Sequence, residues 1–232
     1  MPWISDALND MRKPNQAYWE PFVGAGWVLS RIENNNAYNF ASDILPELIA
    51  MWQALQNGWV PPETITLAQW QIAKVGNCGP ALRAFIGFGC SWGGNWFRGS
   101  YLIRKNGKSQ AAISKRSLMR KLATIPITKF YVADFLEEDP PENNMLIYCD
   151  PPYEMKAPQE YRATGHFDNA AFWDRVRLLA SRGHIVVVSE YKAPNDFVVI
   201  HQKTARQDVG RWGRQTTDDD LRVEKLFLLE VR

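Results

Sequence analysis

Apolar positions along this chain follow two periods in alternation. Continuous apolar runs, typical of strands covered on both faces, occur at Met145–Cys149 (MLIYC) and His184–Ser189 (HIVVVS). Tyr18–Val23 (YWEPFV), Ala37–Ser42 and Lys129–Phe135 (KFYVADF) also read as strands. Phe197–His201 and Val223–Glu230 predict a terminal hairpin around the polar loop 204–222. Elsewhere the period lengthens to that of a helix. Trp27, Val28, Leu29 and Ile32 predict a helix after Gly26 that ends at Asn34–Asn36. Pro46 opens another, as proline can at the first helical position. That helix carries Leu48, Ile49, Met51, Trp52 and Leu55 on one side and stops at Asn57-Gly58. Gln110–Leu122 reads as a helix displaying Lys115, Arg116, Arg120 and Lys121. Asp168 caps a helix over 169–182, with Phe172, Trp173, Val176 and Leu179 on one side and Gly183 after it.

Strands alternating with helices predict an α/β fold, a doubly wound and mostly parallel sheet with helices on both faces. Ligands of such sheets lie at the C-terminal ends of the strands, near the switch in strand order. Two motifs, Gly24–Gly26 and Asp150–Tyr153, directly follow apolar strands and are placed there. Pro61-Pro62 marks a boundary. Residues 63–124 read as an insert in a main domain formed by 1–62 and 125–232.

Composition adds limits. With 232 residues, 46% hydrophobic and 22% charged, the chain is expected to be globular, and a disordered polymer is excluded. Three cysteines and three histidines give neither a disulfide framework nor a zinc motif, so no metal is expected. No stretch approaches the roughly 18 apolar residues of a membrane span, and the start lacks the basic and apolar regions of a signal peptide. A soluble, cytoplasmic protein of a bacterial or phage-infected cell is expected, monomeric or homodimeric, with no membrane partner.

Charge distribution says more than the net +2. Residues 64–133 contain no acid and eleven basic residues, leaving 16 basic and 25 acidic residues to the rest. A molecule polarised in this way attracts a polyanion to one face. The same segment holds nine aromatics and eight of the fifteen glycines, densest over Gly87–Tyr101. Glycines there would let backbone approach a phosphate or a base closely, and basic and aromatic side chains together suit phosphate neutralisation and base stacking. Trp92, Asn95, Trp96, Arg98, Arg104, Lys105, Lys108, Lys115, Arg116 and Arg120 are therefore candidate contacts to double-stranded DNA, Asn95, Arg98 and Arg104 among them as readers of base edges. The plainer alternative is a glycine-rich loop with a small aromatic core and solvated lysines. Arg206, Arg211, Trp212 and Arg214 form either a second nucleic-acid-facing loop or, since Asp218-Asp-Asp220 follows, a solvated hairpin.

Two motifs carry chemistry. In Glu20-Pro-Phe-Val-Gly-Ala-Gly26, two glycines at a strand-to-helix turn let backbone pass close to a ligand. Asp43 follows about 20 residues later, where an acid can accept both hydroxyls of a ribose. The pair suggests an adenosine-containing cofactor. Leu29 occupies the third glycine position of a dinucleotide fingerprint, which argues against a nicotinamide. In Asp150-Pro-Pro-Tyr153, a buried strand delivers a carboxylate to the cleft. Asp150 needs a donor there, the Pro151 carbonyl can accept a second hydrogen bond, and Tyr153 can stack on a ring. Together they suit a planar substrate bearing an amino group. Cys149 reads as core, and no covalent enzyme intermediate is needed.

Glu20-Pro-Phe-x-Gly-x-Gly26, Asp43, Ala133-Asp-Phe135 and Asp150-Pro-Pro-Tyr153, in this order around a basic insert, resemble the Dam-like DNA adenine-N6 methyltransferases. Gly-Phe-Gly-Cys-Ser-Trp-Gly-Gly-Asn-Trp-Phe and Val-Ser-Glu-Tyr191-x-Ala-Pro194 resemble phage and prophage members, which serve restriction-modification or phage self-protection. The resemblance spans about residues 12 to 230. It implies a fold of the S-adenosylmethionine-dependent methyltransferase type, with S-adenosylmethionine as methyl donor and the insert as target-recognition region. Glu20, Pro21, Phe22, Gly24 and Gly26 would line the methionine and ribose part, Asp43 and Ile44 the ribose, and Asp134 and Phe135 the adenine. Asp150 and the Pro151 carbonyl would hold the N6 amine of a flipped adenine. Pro152 would complete the motif, and Tyr153 would stack on the base.

The chain departs from that family at its start. Met1-Pro-Trp-Ile-Ser-Asp6 stands where a short basic, glycine-containing motif helps to close the donor pocket, and no lysine precedes Lys13. This departure bears on catalytic competence more than on fold. The alternatives are an RNA or glutamine-amide methyltransferase, a catalytically weak or inactive DNA-binding relative, and an interaction protein that kept the fold.

Overall fold

The computed structural model describes residues 2–91, 95–97, 101, 109–152, 167–206 and 221–230. Seven strands form one sheet: β1 (Tyr18–Glu20), β2 (Asn39–Asp43), β3 (Thr128–Val132), β4 (Leu146–Cys149), β5 (Ile185–Glu190), β6 (Phe197–Arg206) and β7 (Leu221–Leu229). Their spatial order is β3-β2-β1-β4-β5-β7-β6. Strands β1 to β5 are parallel, and β7 runs antiparallel to both β5 and β6. The chain fills one half of the sheet with β1–β3 and the other with β4 onward, so the order switches between β1 and β4. A cleft opens at such a point.

Period-two alternation assigns each strand residue to one of two cores. Tyr18, Leu146, Tyr148 and Val187 face the side covered by α1 (Pro2–Met11), α2 (Pro46–Gln56) and α4 (Pro80–Gly89). Trp19, Ile147, Cys149, Val186 and Val188 face α6 (Asn169–Ser181), which buries Phe172, Trp173, Val176 and Leu179 against them. Each such side chain contributes roughly 1.5–3 kcal/mol on burial, so α6 is held by its apolar stripe. Its first turn is satisfied by Asp168, whose carboxylate accepts from the Ala171 N–H at 3.0 Å. The doubly wound α/β architecture expected from the sequence is the one the chain adopts.

Several elements differ from expectation. The segment after Gly26 forms only a 3-10 turn at Leu29–Arg31. In an α-helix the Trp27 carbonyl would take the Arg31 N–H. Here it accepts the Ser30 hydroxyl at 3.3 Å and the Arg31 side chain at 2.8 Å, and the Arg31 N–H turns to Val28. Side chains have replaced the helical ladder. The N-terminal α1, which buries Ile4, Ala7 and Leu8, has no counterpart in the sequence reading. Neither do α3 (Leu67–Lys74) and α4, although Thr66 and Gln69 form a capping box and Pro80 starts α4. The helix α5 (Gln110–Leu122) has the expected bounds. Lys121, expected on display, is instead buried, because the face of α5 that carries it packs over the Ala25–Trp27 loop. Strand β1 stops at Glu20, three residues short, and β6 and β7 extend beyond the expected hairpin.

In the basic segment, Trp70, Phe85 and Phe97 are core residues. Gly87 is a packing seat: a Cβ there would lie 2.8 Å from ring atoms of both Trp96 and Phe97. A close approach does require that glycine, but the group approaching it is aromatic.

Candidate active site

Each of the five parallel strands brings a residue, at its end or within two positions past it, to a single cleft of about 620 Å³ at the sheet switch. Glu20 closes β1 and Asp43 closes β2, Asp134 lies two residues past β3, Asp150 follows β4, and Tyr191 follows β5. The last residue of β3 itself, Val132, is exposed. The sheet thus gathers residues far apart in sequence because their strands point the same way.

The loop after β1 is held on three sides. The Val23 N–H donates to the Ser42 carbonyl at 3.0 Å, and the Gly26 N–H closes a turn onto Val23 at 2.8 Å. Gly24 and Gly26 take φ of 47° and 64°, the left-handed region that favours glycine. The Asp43 carboxylate accepts the Gly24 N–H with one oxygen and the Leu45 N–H with the other, both at 3.1 Å. A carboxylate has about four acceptor positions, so Asp43 keeps capacity for a ligand hydroxyl. Burial pushes its pKa up.

Glu20 is buried, and its carboxylate accepts the Tyr18 hydroxyl at 2.9 Å. Burial first, then the nearby Asp150 charge, raises its pKa to about 8. Asp134 accepts the Leu136 N–H at 2.9 Å. Phe135 is mostly spent on the core, with ring centroids 5.3 Å from Phe22 and 5.5 Å from Phe172. Pro151 is buried beside Asp150 and Pro152 is half-buried.

Of the residues read from sequence, the cleft brings together Glu20, Pro21, Phe22, Gly24, Asp43, Ile44, Asn95, Trp96, Asp134, Phe135, Asp150, Pro151 and Pro152. Gly26 lies behind it, against Trp52. Asn95 and Trp96, read as DNA contacts, form part of the cleft wall, where Trp96 packs 5.0 Å from Phe88 under the Arg83 guanidinium. Lys115, Arg116 and Arg120 lie on α5, away from the cleft. Lys115 pairs with Glu63 at 3.0 Å, while Arg116 and Arg120 are exposed. Tyr153, Trp92, Arg98, Arg104, Lys105 and Lys108 lie outside the described residues, as do Arg211, Trp212 and Arg214. Cys149 is buried in β4, where burial pushes its thiol up, and His184 accepts the Met145 N–H at 3.2 Å.

Sequence reasoning missed Glu224, Tyr191 and Trp27 as lining residues, and took Asp168 for a helix cap alone. Tyr191 sat in a quoted motif and could have been found as the residue ending a buried strand. Glu224 had no local signal. It enters through the antiparallel β7 and accepts the Ser189 hydroxyl at 3.1 Å.

The resulting lining has one sign. Six carboxylate residues line the cleft (Glu20, Asp43, Asp134, Asp150, Asp168 and Glu224), and no lysine or arginine does among the described residues. No three of the described His, Cys, Asp or Glu side chains gather as metal ligands. Such a cleft favours a ligand that is cationic, rich in N–H and O–H donors, or both.

No protein-family model matches the chain, and no curated protein sequence matches it. Solved structures similar to it include an rRNA methylase from Streptococcus thermophilus (8% identity, TM-score 0.44, covering 100% of this chain and 98% of that one). Another is an rRNA methyltransferase from Streptomyces viridochromogenes (13% identity, TM-score 0.39, covering 98% and 84%). Likeness at this level carries no argument about chemistry.

Proposed function

We propose that the chain is an S-adenosylmethionine-dependent methyltransferase acting on the exocyclic amine of a nucleic-acid base, N6 of adenine in duplex DNA. The observation that carries this reading is the all-acidic cleft at the sheet switch, with Asp43 and Asp150 at the ends of the two strands that flank β1. The donor is cationic at sulfur and ammonium and carries ribose hydroxyls, so the residues present fit it. Asp43 would hold the ribose. Asp134 and the ring of Phe135 would hold the adenine.

When bound, the donor would supply an electrophilic methyl on a sulfonium, with the neutral thioether as the leaving group. Asp150 and the Pro151 carbonyl accept the two N6 protons of a flipped adenine. These bonds draw the nitrogen lone pair out of ring conjugation, and the lone pair forms the new N–C bond. The nitrogen becomes positive as it reacts, and Asp150 stabilises that charge. One N6 proton then leaves, through Asp150, to water. Positioning and electrostatics do the catalytic work, and Cys149 takes no part.

The basic segment supports nucleic acid over protein as the substrate, with Arg116 and Arg120 exposed on α5. The test is incubation with labelled S-adenosylmethionine and either unmethylated duplex DNA or structured RNA, followed by nucleoside analysis. N6-methyladenine in DNA is the expected product. N6-methyladenine in RNA alone would move the substrate to RNA, and transfer to neither, with no donor binding, would reject the reading.

A further inference from the structure

A buried lysine stands against the glycine loop that borders the cleft. Lys121 of α5 is only 7% exposed. Its Nζ donates to the Ala25 carbonyl at 2.6 Å and sits 3.9 Å from the Trp27 ring centroid. Among the described residues no carboxylate pairs with it, and the charge nearest in effect is the like charge of Arg31. Burial, then Arg31, lowers its pKa to about 8, which leaves it cationic at neutral pH. A buried ammonium with only neutral partners is costly until an anion joins it. One of its three N–H donors is used on Ala25, so two remain.

Behind the glycine loop lies a second cavity of about 560 Å³. Gly24, Ala25, Trp27, Leu48 and Phe88 line both this cavity and the cleft, so the two spaces adjoin along the loop. Lys121 lines the second cavity and is not part of the cleft lining.

We infer that the second cavity receives the amino-acid arm of the methyl donor and that Lys121 binds its carboxylate. The inference rests on the donor reading above. A sulfonium has three arms. With the methyl facing Asp150 and the adenosine along Asp43 and Asp134, the third arm is left the Gly24–Trp27 wall. The cleft itself repels a carboxylate, since its described charged lining is entirely acidic. Lys121 is the cation next to that wall.

The test compares binding of S-adenosylmethionine with that of its decarboxylated counterpart, by calorimetry, in the wild-type chain and in Lys121→Met. The wild type is expected to prefer the carboxylated donor by about tenfold or more, the scale of one well-formed charged contact. Lys121→Met is expected to bind both alike, at the wild type's affinity for the decarboxylated form. Equal binding of the two by the wild type overturns the inference without needing any variant. Equal loss of both in Lys121→Met also overturns it, since the lysine would then only prop the loop. Failure of the wild type to bind either compound rejects the donor reading itself.

Discussion

Trp52 of α2 donates its indole N–H to the Gly24 carbonyl at 3.0 Å and lays its ring where a side chain on residue 26 would have to stand. A Cβ on Gly26 would lie 2.8 Å from Cζ2 of that ring. The glycine loop is therefore held by a helix of the core. Gly26→Ala carries two penalties, about 1–2 kcal/mol for the left-handed backbone and about 1–3 kcal/mol for overpacking. Gly58→Ala, at φ 86° with nothing within 4 Å, carries only the first. Urea denaturation of the two variants should show Gly26→Ala to be the less stable. Equal losses would mean that Trp52 yields at no cost.

Arg116 and Arg120 lie one turn apart on α5, and both are exposed. Lys115 beside them is already paired with Glu63. Reversing both arginines to glutamate should weaken DNA binding and leave donor affinity unchanged. If each neutralises one phosphate, the slope of log affinity against log salt should fall by roughly two. A titration series from 50 to 200 mM salt measures it. Unchanged affinity at low salt would make this face of α5 a solvated one.

The sheet and most of the cleft were legible because their signals are local. Met145–Cys149 is apolar at every position, as a strand covered on both faces must be, and a parallel sheet then puts Asp150 at the same edge as Glu20 and Asp43. What escaped depends on neighbours distant in sequence. The periodicity of α5 shows an amphipathic helix, but it cannot show that Lys121 faces Ala25, 96 residues away. Trp27–Ile32 has helical spacing, yet Ser30 and Arg31 take the carbonyl that a helix would need. Gly87 looks like a site of ligand approach until Trp96 is seen against it. Glu224 reaches the cleft only because β7 inserts between β5 and β6.

Glu20 makes stability depend on pH in a definite direction. Its folded pKa of about 8 lies above the ordinary 4.5, through burial and then the charge of Asp150. Among the described residues, Tyr18, Tyr148 and Cys149 are the other titratable groups that interact with it. Between these pH values the folded chain holds a proton that the unfolded chain releases. The stability this group contributes is full below about pH 4.5 and is lost as pH rises through 8. Glu20→Gln keeps an acceptor for the Tyr18 hydroxyl and cannot ionise. Melting curves from pH 5 to 9 should show the variant gaining on the wild type as pH rises. A constant difference would mean that Glu20 is already ionised in the fold.

In the proposed reaction Asp150 serves chemistry rather than binding. It follows Cys149, the last residue of β4, and Pro151 restricts the backbone at the strand end, so its carboxylate is presented by a rigid element. Exposed basic side chains of the insert, not this carboxylate, hold the nucleic acid in the proposed scheme. Asp150→Ala should therefore leave DNA affinity within a few-fold of wild type. It removes the charge that stabilises the reacting nitrogen, and loss of one such preorganised contact costs roughly 10²–10³ in turnover. Asp150→Asn retains one acceptor oxygen without the charge and should fall between the two. Single-turnover methyl transfer and filter binding on the same samples give both quantities. Wild-type rates in Asp150→Ala would take this residue out of the mechanism, and a parallel collapse of DNA binding would make it a structural support for the cleft.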